Sequence, residues 1–74
     1  MKSIGEIIKE KRLETGLSQR AFAKRLGVSN IAVGRWEKGD YLPSILNCWD
    51  LADLFGCTID ELCGRTVKGE ETNE

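Results

Sequence analysis

The residues with the most specific chemistry sit close together. Asn30, Ile31, Gly34 and Arg35 form the spacings 30/34 and 31/35, and a four-residue step returns a helix to the same face. Lys38 continues the stripe. An asparagine amide matches N6 and N7 of adenine, an arginine fork matches O6 and N7 of guanine, and Ile31 is an apolar contact of the kind a thymine methyl takes. Plainer readings stand beside these: Asn30 as an ordinary first-turn residue, Ile31 as a partner of the core, Arg35 as a phosphate contact. Glycine inside a helix costs about 1 kcal/mol relative to alanine. Gly34 therefore either admits a ligand close to the helix or marks a tolerant position.

Little else in the chain has a reactive pattern. There are three cysteines, Cys48, Cys57 and Cys63, and no histidine. An odd count without C-x-x-C argues against a zinc site or a disulfide framework. The thiols are read as reduced, small core hydrophobes. No immediately adjacent basic residue lowers a thiol pKa, as a redox sensor requires. No nucleophile–base pair, metal-ligand spacing or phosphate loop is evident. The sequence thus argues against an enzyme and implies no metal, cofactor or small-molecule ligand.

Something must hold the 30/31/34/35 face outward. Residues 18–39, SQRAFAKRLGVSNIAVGRWEKG, predict two short helices and a tight turn. Ser18 caps the first, about Gln19 to Leu26, because its hydroxyl accepts an unpaired N–H of the first turn. Gly27 closes it. Ser29 caps the second, about Asn30 to Lys38, which stops at Gly39. Val33 and Trp36 point inward, with Glu37 beside them. In the first helix Phe22, Ala23 and Leu26 form the buried stripe, and Arg20, Lys24 and Arg25 face out. The two helices make a helix-turn-helix, a unit whose second helix can lie in the DNA major groove. The free N–H groups at Ser18 and Gln19 suit a phosphate.

Three more helices complete an all-α, compact five-helix fold with the helix-turn-helix at helices 2 and 3. Helix 1 runs from a Ser3/Glu6 capping box to about Glu14, with Ile4, Ile7, Ile8 and Lys11 on one stripe. Leu42 is extended before Pro43. Ser44 caps helix 4, about Ile45 to Phe55, whose apolar positions Ile45, Cys48, Ala52 and Phe55 face the core. Thr58 and Glu61 box the start of a short helix 5 ending at Leu62 or Cys63. Residues 1–64 form one domain, with the helix-turn-helix unit at 18–38. Residues 65–74, RTVKGEETNE, form a polar, acidic tail expected to be disordered.

Net charge is −1 over 74 residues, but it is unevenly spread. Residues 1–40 hold nine Lys and Arg against five Asp and Glu, whereas residues 41–74 hold two against seven. A basic half carrying the helix-turn-helix suits a protein that turns one face to phosphates. No apolar run approaches the roughly 20 residues of a membrane span. The N-terminus has no uninterrupted apolar segment of the signal-peptide type, so the expected location is the cytoplasm, away from membranes.

Several fragments, in order, carry a resemblance. They are R-x-x-x-G-L-S-Q in residues 12–19, F-A-x-x-L-G-V-S in 22–29 and W-E-K-G in 36–39. P-S in 43–44, L-A-x-x-F in 51–55 and T-I-D-E-L in 58–62 follow. Over residues 3–63 the chain resembles the lambda-repressor-like, Xre-type helix-turn-helix domains of phage and bacterial regulators. By position, the resemblance implies that Asn30, Ile31, Gly34 and Arg35 belong to the base-contacting face, Gly34 at its backbone edge. It implies phosphate contacts for Ser18, Gln19, Ser29 and Lys38, with Gln19 also bracing the first reading residue. It implies a buried, structural ion pair between Arg12 and Glu37. The cysteines stand where that family usually carries Leu or Val. Leu46 and Trp49 exceed what the helix 4 stripe needs, and with Leu54 and Cys63 they form either a dimer surface or a satellite of the core.

The resulting expectation is a sequence-specific, DNA-binding transcriptional regulator. It would be a repressor of phage or mobile-element type that binds double-stranded DNA at a palindromic operator as a homodimer, at least on DNA. The alternative is a protein-interaction module on the same fold, such as an antitoxin or anti-repressor partner.

Overall fold

The computed structural model describes residues 2–64. Five helices follow one another: α1 (Ile4–Thr15), α2 (Gln19–Leu26), α3 (Asn30–Lys38), α4 (Ile45–Phe55) and α5 (Ile59–Leu62). Each begins at a hydroxyl side chain. Ser18 Oγ accepts from Ala21 N–H, Ser29 Oγ from Ala32 N–H and Ser44 Oγ from Asn47 N–H, all at 3.1 Å. Ser3 with Glu6 and Thr58 with Glu61 form reciprocal capping boxes. Each cap satisfies a backbone donor that the helix itself leaves unpaired. At the turn between α2 and α3, Gly27 adopts φ 77°, ψ 28°, a left-handed conformation open to glycine at little cost.

The helices enclose a core of Ile8, Phe22, Ala23, Val33, Trp36, Cys48, Leu51 and Leu62. Phe22 and Phe55 stack with centroids 5.4 Å apart and planes 14° from parallel. Helix α3 packs on both α2 and α1, while α4 packs on α2 and α5. The crossing of α1 and α3 is close because Gly5 has no side chain. A Cβ on Gly5 would stand 2.2 Å from the Trp36 carbonyl oxygen and 3.1 Å from that of Glu37. The inward stripe of α1 is therefore Gly5, Ile7, Ile8 and Arg12, all buried, with Ile4 and Lys11 half-buried at its edge.

Three sequence expectations need correction. Ile45, assigned to the core face of α4, is 59% exposed. It lies in the first turn of α4, and its sequence neighbours Tyr41, Leu42 and Leu46 are also more than half exposed. Leu54, grouped with Leu46 and Trp49 as either a dimer surface or a satellite of the core, packs against the core and so leaves the dimer-surface set. Of the cysteines only Cys48 is a core residue; Cys57 is half-buried, and Cys63 is exposed just past the last residue of α5. The acidic segment 65–74 lies outside the described residues.

Candidate nucleic-acid interface

Helix α3 buries one side and presents the other. Val33 is fully buried and Trp36 is 4% exposed. Asn30, Ile31, Arg35 and Lys38 are exposed, and Gly34 is half-buried between them. Ile31, at 63% exposed, is not a core residue. An open concavity of about 610 Å³ gathers Asn30, Ile31, Gly34, Arg35 and Lys38 with Gln19 from the start of α2. The structure thus brings together residues from the two helices of the turn unit.

Gln19 is held by a hydrogen-bonded chain that runs back into the core. Its Nε2 donates to Glu37 Oε1 at 2.9 Å. Glu37 also accepts from Arg12, through Nε to Oε2 at 2.6 Å and Nη2 to Oε1 at 3.2 Å. A third arginine nitrogen, Nη1, donates to the Leu17 carbonyl at 2.8 Å. The side chains of Arg12 and Glu37 are only 9% and 4% exposed. A two-pronged pair of this kind fixes direction as well as distance. Because a carboxylate only accepts, it also fixes which end of the Gln19 amide faces it. The amide oxygen lies over Gly34, 3.5 Å from where a Cβ would stand.

The remaining anticipated positions are distributed around this centre. Ser18 and Ser29 are exposed, and each hydroxyl oxygen is engaged as a helix cap. A hydroxyl that accepts in this way keeps its proton free to donate. Arg35 is exposed, with its guanidinium carbon over the Tyr41 ring, 5.1 Å from the centroid. Leu46 and Trp49 are 62% and 53% exposed, but Leu54 does not join them on that surface.

Three residues reach the concavity that the sequence does not place there: Lys9 of α1, Asp40 just beyond α3, and Glu37, expected only as an inward structural partner. Lys9 is distant in sequence from the turn unit. Only the close α1–α3 crossing brings it to the edge of α3, and no local pattern encodes that crossing.

Burial disfavours the thiolate at two of the cysteines. Burial pushes the Cys48 thiol pKa up, and neighbouring Cys63 adds to the rise. Burial also raises Cys57, where Lys11 pulls down and Glu61 pushes up. Lys11 is a basic neighbour that folding supplies, and burial outweighs it. Among the described residues no helix is long and apolar enough to cross a membrane.

Comparison with known proteins agrees with the architecture. The HTH_3 family model, described as Helix-turn-helix, matches residues 8–62. The HTH-type transcriptional regulator DicA of Escherichia coli (strain K12) is 36% identical over 56 residues, which are 76% of this chain and 42% of DicA. The cryptic phage CTXphi transcriptional repressor RstR of Vibrio cholerae is 33% identical over 67 residues, 90% of this chain and 60% of RstR. The chain thus spans about half the length of these relatives. Among solved structures, the P22 c2 repressor in complex with a synthetic operator superposes with a TM-score of 0.79 and 32% identity. That superposition covers 84% of this chain and 94% of the repressor chain. These relatives are transcriptional regulators and repressors, a family that is not enzymatic. With the turn unit, the five-helix packing and the match over residues 8–62 in agreement, the chain belongs to the HTH_3 helix-turn-helix family, of the Xre or lambda-repressor-like type.

Proposed function

We propose that this chain is a sequence-specific DNA-binding transcriptional regulator, a repressor of phage or mobile-element type that acts in the cytoplasm on a palindromic operator. The observation that carries the reading is the outward face of α3, with Asn30, Ile31 and Arg35 beside a Gln19 amide locked to Glu37. On this reading α3 lies in the major groove. Asn30 and Arg35 hydrogen-bond base edges, and Ile31 meets a thymine methyl. Gly34 lets the helix approach closely. Ser18, Gln19, Ser29 and Lys38 anchor to phosphates, joined by Lys9. The start of α2 adds unpaired backbone donors facing the strand. The P22 c2 repressor, which shares this fold, has been solved with an operator bound.

One module of this kind covers about 600–1,000 Å² of its own surface on DNA, too little for tight specific binding, so two copies on two half-sites are required. On this reading the dimer surface is the exposed apolar side of α4, Leu46 and Trp49, extended by Leu42 and Ile45, with the exposed Cys63 a further candidate. Repression follows from occupying DNA that polymerase needs.

The test is selection from a randomised duplex pool at about 50 mM salt, where phosphate contacts are least screened. A two-fold symmetric motif that Arg35→Ala relaxes at one base pair per half-site supports the reading. Weak binding, equal for both proteins and without a motif, overturns it. The apolar first turn of α4 favours one competing reading, a protein-interaction module. That reading gains if Trp49→Ala abolishes function in cells while Asn30→Ala and Arg35→Ala leave it intact.

A further inference from the structure

The residue most exposed to misdirection on the reading face is Arg35. Its side chain is long, exposed and five residues from the carboxylate of Asp40, which borders the same concavity. A carboxylate takes an arginine fork two N–H groups at a time, and those are the groups that would pair with guanine O6 and N7. An Arg35–Asp40 pair would therefore occupy the reader before DNA arrived. The described residues contain two ion pairs, Lys2–Glu10 and Arg12–Glu37, and Arg35 belongs to neither. Its cationic end rests on the Tyr41 ring instead.

We propose that Tyr41 is a positioning residue that sets Arg35 over the groove face by a cation–π contact while leaving its hydrogen-bond donors free for a base pair. The proposal rests on the reading of α3 as a DNA reader. The local chain is built for this contact. Gly39 turns the backbone back on itself at φ 86°, ψ 11°. The next two N–H groups then approach the carbonyl of Arg35 itself, Asp40 at 2.9 Å and Tyr41 at 3.5 Å. The backbone of Tyr41 is thus tied to the residue whose side chain its ring supports. A π-face attracts a guanidinium within about 6 Å of its centroid, and 5.1 Å is inside that range. It offers no lone pair for the N–H groups to bond. Tyr41 is 57% exposed and outside the core, so replacing it leaves the fold in place.

The test compares Tyr41→Phe, which keeps the ring, with Tyr41→Leu, which keeps apolar bulk without it. Arg35→Ala is run alongside to identify the base pair concerned. Affinities are measured for the selected operator and for operators changed at single base pairs. Tyr41→Phe is expected to discriminate as wild type does. Tyr41→Leu is expected to lower discrimination about two- to five-fold, the worth of an exposed cation–π contact, and only at the pair relaxed by Arg35→Ala. Its salt dependence stays unchanged because no phosphate contact is lost. In an Arg35→Ala background Tyr41→Leu changes discrimination no further. Three outcomes overturn the role of Tyr41 alone: Tyr41→Leu discriminating like wild type, affinity falling equally on every operator, or Tyr41→Phe losing as much as Tyr41→Leu. If wild type selects no motif, the DNA-reading proposal falls, and the role of Tyr41 with it; if a motif is selected that Arg35→Ala does not relax, only the base contact of Arg35 and its support by Tyr41 fall.

Discussion

At the scale of single residues, Glu37 does two jobs with one carboxylate: it neutralises Arg12 in the interior and orients Gln19 at the surface. The two jobs separate by mutation. Glu37→Gln leaves a guanidinium buried without its counter-charge, and the loss of stability to urea is expected to be about 3–5 kcal/mol. Replacing both partners, Arg12→Met with Glu37→Leu, removes the buried charges together and is expected to restore most of that stability. The double variant still lacks the acceptor for Gln19, so it folds and yet binds operator more weakly than wild type. Equal operator affinity in the double variant and the wild type would show that Gln19 needs no brace. At Cys48 the sign of the pH effect is set by burial. Its pKa is raised above the ordinary thiol value of 9.0, so the neutral form is favoured by folding. That contribution is full below pH 9, is lost as pH rises through the folded value, and disappears in Cys48→Ala. Alkylation of Cys48 in the folded protein near pH 8 is expected to be slower than in urea, checked by mass spectrometry.

At the scale of helices, two glycines that look alike in sequence have opposite meanings. Gly5 and Gly34 both sit inside helices, where alanine is the better helix former by about 1 kcal/mol. At Gly34 an added Cβ meets only the end of Gln19 at an ordinary contact distance of 3.5 Å. Gly34→Ala is therefore expected to stabilise the domain by up to about 1 kcal/mol and, if α3 lies against DNA, to weaken operator binding. At Gly5 the Cβ would fall on a backbone carbonyl, so α1 must move off α3. Thermal melts of Gly5→Ala are expected to show a loss of about 1–3 kcal/mol, as overpacking usually costs. This contrast marks the limit of what the sequence discloses. Caps and glycine stops act within a few residues, and the α2, α3 and α4 boundaries read from them coincide with those observed. The inward side of α3 was legible from the spacing of Val33 and Trp36. The resemblance implied that α1 meets α3 through Arg12 and Glu37, but the close crossing at Gly5 was not legible, because it depends on Gly5 meeting residues more than thirty positions away. The exposure of Ile45 was hidden for the same reason: periodicity tells which residues share a face, not how far along the helix its neighbours reach.

At the scale of the whole molecule, charge is divided along the chain, with the positive excess in the half that holds α1 to α3. Binding through that half is expected to weaken steeply with salt, each phosphate contact adding about 0.9 to the log–log slope. Lys9→Ala tests the tertiary placement of α1: the slope should flatten by about that amount with base preference unchanged. An unaltered slope would remove Lys9 from the interface. The connection between α3 and α4 belongs to two surfaces at once. Tyr41 supports Arg35 on one side, and the adjacent Leu42, 75% exposed, opens the apolar strip that continues through Ile45 and Trp49. A second copy seated on that strip would restrict the same few backbone torsions that aim Arg35. Thermodynamic linkage makes such an effect reciprocal: if pairing sharpens the aim of Arg35, DNA held by Arg35 strengthens pairing by the same factor. Cooperativity between half-sites would then need no movement of helices, only a shared hinge held still from both ends.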